Sequence, residues 1–152
     1  MDEKNSDACD IAASSLGEAI EGCVDARPEV EGERESRLAF TPAAIELIEQ
    51  LWEMHGPLMF HQSGGCCDGS APMCYQAGEF KTGGADVLLG TLELPPIEAG
   101  ADPREIGFWM SREQFGVWAH THLTVDAIPG RGSGFSLEAP EGKRFLIRSR
   151  LL

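Results

Sequence analysis

Thr41-Pro-Ala-Ala-Ile-Glu-Leu-Ile-Glu-Gln-Leu-Trp-Glu-Met-His-Gly-Pro-Leu-Met-Phe-His61 is the stretch on which the fold class turns. Threonine caps helix N-termini, and proline suits the first helical position, where its missing N–H would have no partner anyway. Ile45, Ile48, Leu51 and Trp52 then recur at helical spacing, and Gly56-Pro57 stops the helix. The apolar run Leu58–His61 predicts a short strand. It delivers the chain into His61-Gln-Ser-Gly-Gly-Cys-Cys-Asp-Gly-Ser-Ala-Pro-Met-Cys74, where three of the five cysteines crowd among glycines.

Beyond this loop the patterns favour strands. Tyr75–Phe80 reads as strand or loop. Val87–Leu94 predicts a strand closed by Pro95-Pro96, and Glu98–Arg104 a loop before the strand Ile106–Met110. Ser111-Arg-Glu-Gln114 matches a capping box and opens a short helix to about Ala119. Alternation then places Leu123, Val125 and Ala127 on one face and His122, Thr124 and Asp126 on the other. A glycine turn over 129–134 leads into an expected strand Phe135–Glu138, and Ala139–Gly142 turns back into Arg144–Ser149. The sum is one small α+β domain over residues 38–152, mainly antiparallel, with a leading amphipathic helix and one short internal helix.

Residues 1–37 differ from the rest. They hold 11 acidic and 4 basic side chains, a net of −7, within a chain whose total is −13. With only scattered apolar residues, this segment reads as an acidic, disordered tail, and Cys9 and Cys23 within it as incidental exposed thiols. The overall charge argues against nucleic acid, whose phosphates require clustered Lys and Arg. No apolar run approaches the roughly 18 residues of a membrane span. Met1-Asp-Glu-Lys-Asn-Ser is too polar for a secretory signal, so the expected compartment is the cytoplasm. Thiols stay reduced there, and a cysteine cluster points to metal binding or redox chemistry.

Cys66, Cys67 and Cys74 could supply soft thiolate ligands and His61 a fourth, a set that suits zinc, copper(I), iron or an iron–sulfur cluster. The spacing lacks C-x-x-C, and adjacent cysteines reach one ion only through a tight turn. His120 and His122, if extended, project to the same face as a pair of imidazole ligands would. His55 reads as a helix C-terminal residue, Arg131 as a turn arginine, and Phe108, Trp109, Phe115 and Trp118 as core. A metal-free thiol enzyme uses the same groups. Cys66 or Cys67 would be the nucleophile and His61 or His122 the base, oriented by Asp68 or Asp126. A third reading leaves the thiols to shape the loop of a scaffold subunit.

The loop 61–74, with Asp86-Val-Leu-Leu-Gly90, Gly130-Arg-Gly-Ser-Gly-Phe-Ser-Leu-Glu-Ala-Pro140 and Arg144-Phe-Leu-Ile-Arg-Ser149, resembles a bacterial family of unknown function, the one numbered 779. The resemblance covers roughly residues 40–152. It implies an accessory role beside an aldehyde dehydrogenase, because such enzymes are often encoded next to family members. In order of elements the chain is also similar to the HesB-like A-type iron–sulfur carriers. Thr41-Pro-Ala-Ala44 matches their opening, Gly65–Gly69 their Gly-Cys-x-Gly loop with one residue inserted, and Gly134–Pro140 their Gly-Phe segment. The carriers close their site with Cys-Gly-Cys, whereas this chain ends Arg148-Ser-Arg-Leu-Leu152. The likeness therefore implies a site finished by Cys74, by a histidine, or by the second subunit of a homodimer. The expected ligand set is Cys66, Cys67, Cys74, His61 and His122.

Overall fold

In the computed structural model the described residues are 22–30, 32–62, 71–79, 82–119, 121–130 and 136–151. The elements in chain order are β1 (Val24–Asp25), β2 (Arg27–Pro28), β3 (Leu38–Phe40), α1 (Pro42–His55), β4 (Leu58–Gln62) and β5 (Met73–Gln76). They continue with β6 (Asp86–Leu94), β7 (Arg104–Ser111), α2 (Arg112–Trp118), β8 (Thr121–Pro129), a 3-10 turn (Ala139–Glu141) and β9 (Lys143–Leu151).

The strands form a four-stranded sheet ordered β1-β3-β8-β9 and a five-stranded sheet ordered β2-β6-β7-β4-β5. Both are mixed. β3 pairs parallel with β8, and β4 parallel with β7, because each partner is reached by a crossover and not by a hairpin. The α+β class expected from the sequence holds.

Alternation along each strand makes the core. Leu38, Phe40, Leu123, Val125, Phe145 and Ile147 from one sheet meet Leu58, Phe60, Ile106, Phe108 and Met110 from the other, and all are essentially buried. Phe60 binds the layers together, with ring centroids 4.9 Å from Phe145, 5.8 Å from Phe108 and 6.0 Å from Phe40. Burying such rings is the main stabilising term, about 1.5–3 kcal/mol for each side chain.

Two devices close the sheets into a flattened barrel. At one edge β1 and β2 are a single pass of chain that leaves the first sheet for the second at the buried Ala26. Gly90 lets that strap approach, since a Cβ there would lie 3.2 Å from the Ala26 Cβ and from the Arg27 carbonyl. At the other edge the Ser136 hydroxyl accepts from Cys74 N–H at 2.8 Å, and Leu137 N–H donates to the Cys74 carbonyl at 3.0 Å.

The helix α1 closes one end of this barrel. Thr41 caps it through Ala44 N–H, and Gly56, with φ of 82°, ends it. Ala44, Leu47, Ile48 and Leu51 face the core. Arg104, at the start of β7, holds Glu49 at 2.6 Å and 3.0 Å, and Gln76, at the end of β5, donates to the His55 carbonyl at 3.0 Å. Asp126 fixes the helix start, accepting from the Thr41 hydroxyl at 2.7 Å and from Arg148 at 2.9 Å. The opposite end gathers the last residues of β4, the first of β5 and β6, and the β7–α2 junction, as the pairs His61–Met73, Gln62–Met110 and Asp86–Ser111 require.

Two sequence expectations change. The chain enters the sheets at Val24, well before Leu38, because short strands can be held by main-chain pairing without an apolar pattern. Ser136–Glu138 is a turn entering the 3-10 segment and not a strand, since Ser136 is spent on bridging β5. Phe135 lies outside the described residues.

Candidate functional site

In β4, Leu58 and Phe60 face inward, so His61, one residue on from Phe60, leaves the outer face of the five-stranded sheet. Its Nε2 lies 2.8 Å from Asp86 Oδ1, and the ring is only 3% exposed. The sheet order β6-β7-β4 makes this meeting, with His61 opposite Trp109, and Asp86 opposite Ser111 two residues further along β7.

Asp86 is itself held by its own turn. Its Oδ2 accepts from Gly83 N–H at 3.0 Å, and its backbone N–H donates to the Gly83 carbonyl at 3.0 Å. Arg112 pins that turn from the start of α2, donating to the Ala85 carbonyl at 2.7 Å and the Gly84 carbonyl at 3.0 Å. The hydrogen bond from His61, followed by that from Gly83, holds the Asp86 carboxyl below the usual carboxylate range. An ionised carboxylate only accepts, so His61 donates to Asp86 from Nε2.

Cys74 leaves the opposite face. It pairs with Phe60, sits fully buried in the core, and keeps a free thiol. Burial, reinforced by the neighbouring Glu138, pushes that thiol far up and holds it protonated. Glu138 is fully buried as well. Its Oε1 accepts a short hydrogen bond from Ser136, its Oε2 has no partner among the described residues, and burial raises its pKa.

His122 belongs to the other sheet, on the face away from Leu123 and Val125. It is 7% exposed, and burial, with Arg150 opposite it, lowers its pKa to about 4, so the ring is neutral at physiological pH. His61 and His122 therefore do not share a face. Among the described residues no three His, Cys, Asp or Glu side chains gather as a metal site. Cys66, Cys67, Asp68 and His120 lie outside the described residues.

Sequence reasoning missed Asp86 as the partner of His61 and named Asp68 or Asp126 instead. Asp126 serves the start of α1. The available signal was an acid at the head of a strand, directly after Gly83-Gly84-Ala85. Cys23 also departs from expectation: it is disulfide-bonded and not an incidental thiol. Trp109, expected in the core, is only half-buried and shares the outer face with His61, whereas Phe108 and Trp118 are core as expected.

Fold and site define a small mixed-sheet α+β barrel with a histidine–carboxylate pair at the mouth opposite its helix. The chain belongs to the family described as a domain of unknown function, DUF779, which matches residues 47–151. No curated protein and no solved structure matches it. No helix among the described residues is long and apolar enough to cross a membrane.

Proposed function

We propose that this chain is a metal-binding accessory protein whose site is built by His61, Cys66 and Cys67, with Asp86 orienting the histidine. The observation that carries the reading is the 2.8 Å bond between His61 and Asp86. Metal-ligating histidines commonly give their other ring N–H to a carboxylate, which fixes the tautomer and raises ligand basicity. Two thiols follow His61 by five and six residues in a glycine-rich sequence, a donor set suited to zinc, copper(I), iron or an iron–sulfur cluster. Cys74 and His122 are left out of this set, the first turned into the core and the second on the other sheet. The coordination is completed by solvent, by a partner enzyme, or by a second copy of the chain. An aldehyde dehydrogenase, whose own catalysis needs a reduced cysteine, is the partner proposed for a protein that handles thiophilic metal in the cytoplasm.

The same bond favours a second reading, metal-free thiol catalysis. There His61 is the general base for Cys66 or Cys67, and Asp86 holds its tautomer. Anaerobic purification followed by elemental analysis and an absorption spectrum separates the two. The metal reading expects bound metal that is lost together in Cys66→Ser, Cys67→Ser and His61→Ala. Metal-free protein whose loop thiols alkylate fully even after loading with zinc, iron or copper(I) would sink it. In that event the catalytic reading requires a single cysteine whose loss abolishes turnover.

A further inference from the structure

We infer that the outer face of the five-stranded sheet carries a binding subsite for an uncharged, planar organic molecule, which stacks on the Trp109 indole beside His61. Register brings the floor of this subsite together. One row across β5, β4, β7 and β6 runs Met73, His61, Trp109 and Leu88, and the next runs Tyr75, Met59 and Gly107. These positions alternate with Phe60, Cys74 and Phe108 and take no part in the core. Met73, Tyr75, Leu88 and Trp109 are only half-buried. A sheet face turned to solvent ordinarily carries polar side chains. Here neither row holds a carboxylate, lysine or arginine, although 24% of the chain is charged, and apolar and aromatic groups take their place.

Gly107 makes room for the indole. The ring folds back along β7, so that a Cβ on Gly107 would stand 3.0 Å from Trp109 Nε1, 3.6 Å from its Cδ1 and 3.2 Å from Leu88 Cδ1. A side chain there would push the ring away. The indole N–H finds no acceptor among the described residues, yet it is not sealed from solvent as that of Trp118 is. It offers a ligand an apolar face for stacking and one donor for orientation. Apolar surface with a few placed polar groups is the usual make-up of a small-molecule site. Met59 and Met73 add thioethers, which pack well against the edge of an aromatic ring.

Charge around the floor sets the class of ligand. Glu93 and Glu105 stand opposite each other on the side toward α1, and Asp86 stands beside His61 on the mouth side. Carboxylates at both ends repel an anion. A cation gains little, because Asp86 is engaged by His61 and Gly83, and Glu105 by Arg27, while the floor offers no counter-charge for its lost hydration. A neutral ring bearing an acceptor, such as an aromatic amide, suits both the floor and the indole N–H. The subsite uses neither Cys66, Cys67 nor a metal, so it stands or falls apart from the metal reading.

The test uses the full chain, stripped of metal and isotopically labelled at nitrogen for magnetic resonance. Its three tryptophans give three indole N–H signals, and Trp109→Phe assigns the one in question. Benzamide should move the Trp109 signal saturably and leave that of Trp118 in place. Benzoate, benzylammonium and the non-planar cyclohexanecarboxamide should each bind about tenfold more weakly. Gly107→Ala, which displaces the ring, should weaken benzamide several-fold. Trp109→Leu, which leaves the core untouched, should abolish the shifts that benzamide causes at the His61 ring. No saturable shift at Trp109, or an equal one at Trp52, overturns the subsite. Benzylammonium binding as tightly as benzamide overturns the uncharged class, and cyclohexanecarboxamide binding as tightly overturns the stacking.

Discussion

Replacing Asp86 by alanine tests the histidine–carboxylate pair without touching a cysteine. The change deletes an acceptor for His61 at 2.8 Å and for Gly83 N–H at 3.0 Å. A hydrogen bond to a charged group contributes about 1.5–3 kcal/mol net, and the exposed turn bond contributes less, about 0.5–1 kcal/mol. Because His61 is only 3% exposed, its donor is left without water to replace the carboxylate. Asp86→Ala should therefore destabilise the protein by about 2–4 kcal/mol in urea unfolding at neutral pH, with Asp86→Asn near the lower end. In a double-mutant cycle with His61→Ala the coupling should be about 1.5–3 kcal/mol, since only the His61 bond is shared. The pH dependence has a definite sign. The folded carboxyl lies below its unfolded value of about 3.9, so its contribution is present above that pH and disappears as pH falls through the folded value. The gap between wild type and Asp86→Asn should close on acidification. Two single mutants that add to within about 0.5 kcal/mol, or a gap that is flat in pH, would refute the reasoning.

Three further outcomes are expected. Thr41→Ala should cost about 1–2 kcal/mol, measured by thermal or urea unfolding, because the hydroxyl both caps α1 and donates to Asp126; Thr41→Ser should restore most of it. Glu138→Gln should gain on wild type as pH rises above about 4.3, since a carboxyl raised by burial favours the fold only while protonated and its contribution is lost as pH climbs toward the folded value. Cys74 should resist alkylation in the native state and react at its unfolding rate, being fully buried with a thiol raised by burial and by Glu138.

Where local chemistry sufficed, the sequence was legible. Thr41-Pro42 and Gly56-Pro57 bracket α1 to within a residue, Ser111 and Gln114 mark α2, and the alternation from His122 to Ala127 assigns the faces of β8 correctly. Contacts made by long-range register were not legible. The strands β1 and β2 are two residues each, and nothing in Val24–Pro28 distinguishes them from tail. Asp86 meets His61 across an intervening strand, 25 residues on, which no local period reveals. Cys74 looked like one more thiol of the loop. Its pairing with Phe60 turns it inward, a distinction of one residue in register from His61–Met73. The two parallel pairings, β3 with β8 and β4 with β7, were likewise not legible, although the mainly antiparallel expectation holds in the other five.

The central claim, that His61 and the neighbouring thiols form one metal site, is met most directly by an anaerobic cobalt(II) titration of the full chain, read by thiolate-to-metal charge-transfer absorption. The account predicts a saturable band that Cys66→Ser and Cys67→Ser abolish and Cys74→Ser preserves. Asp86→Asn should weaken the affinity by about 10–100-fold through the orientation of His61. No thiolate band, or a band that needs Cys74 and is indifferent to His61 and Asp86, would contradict it.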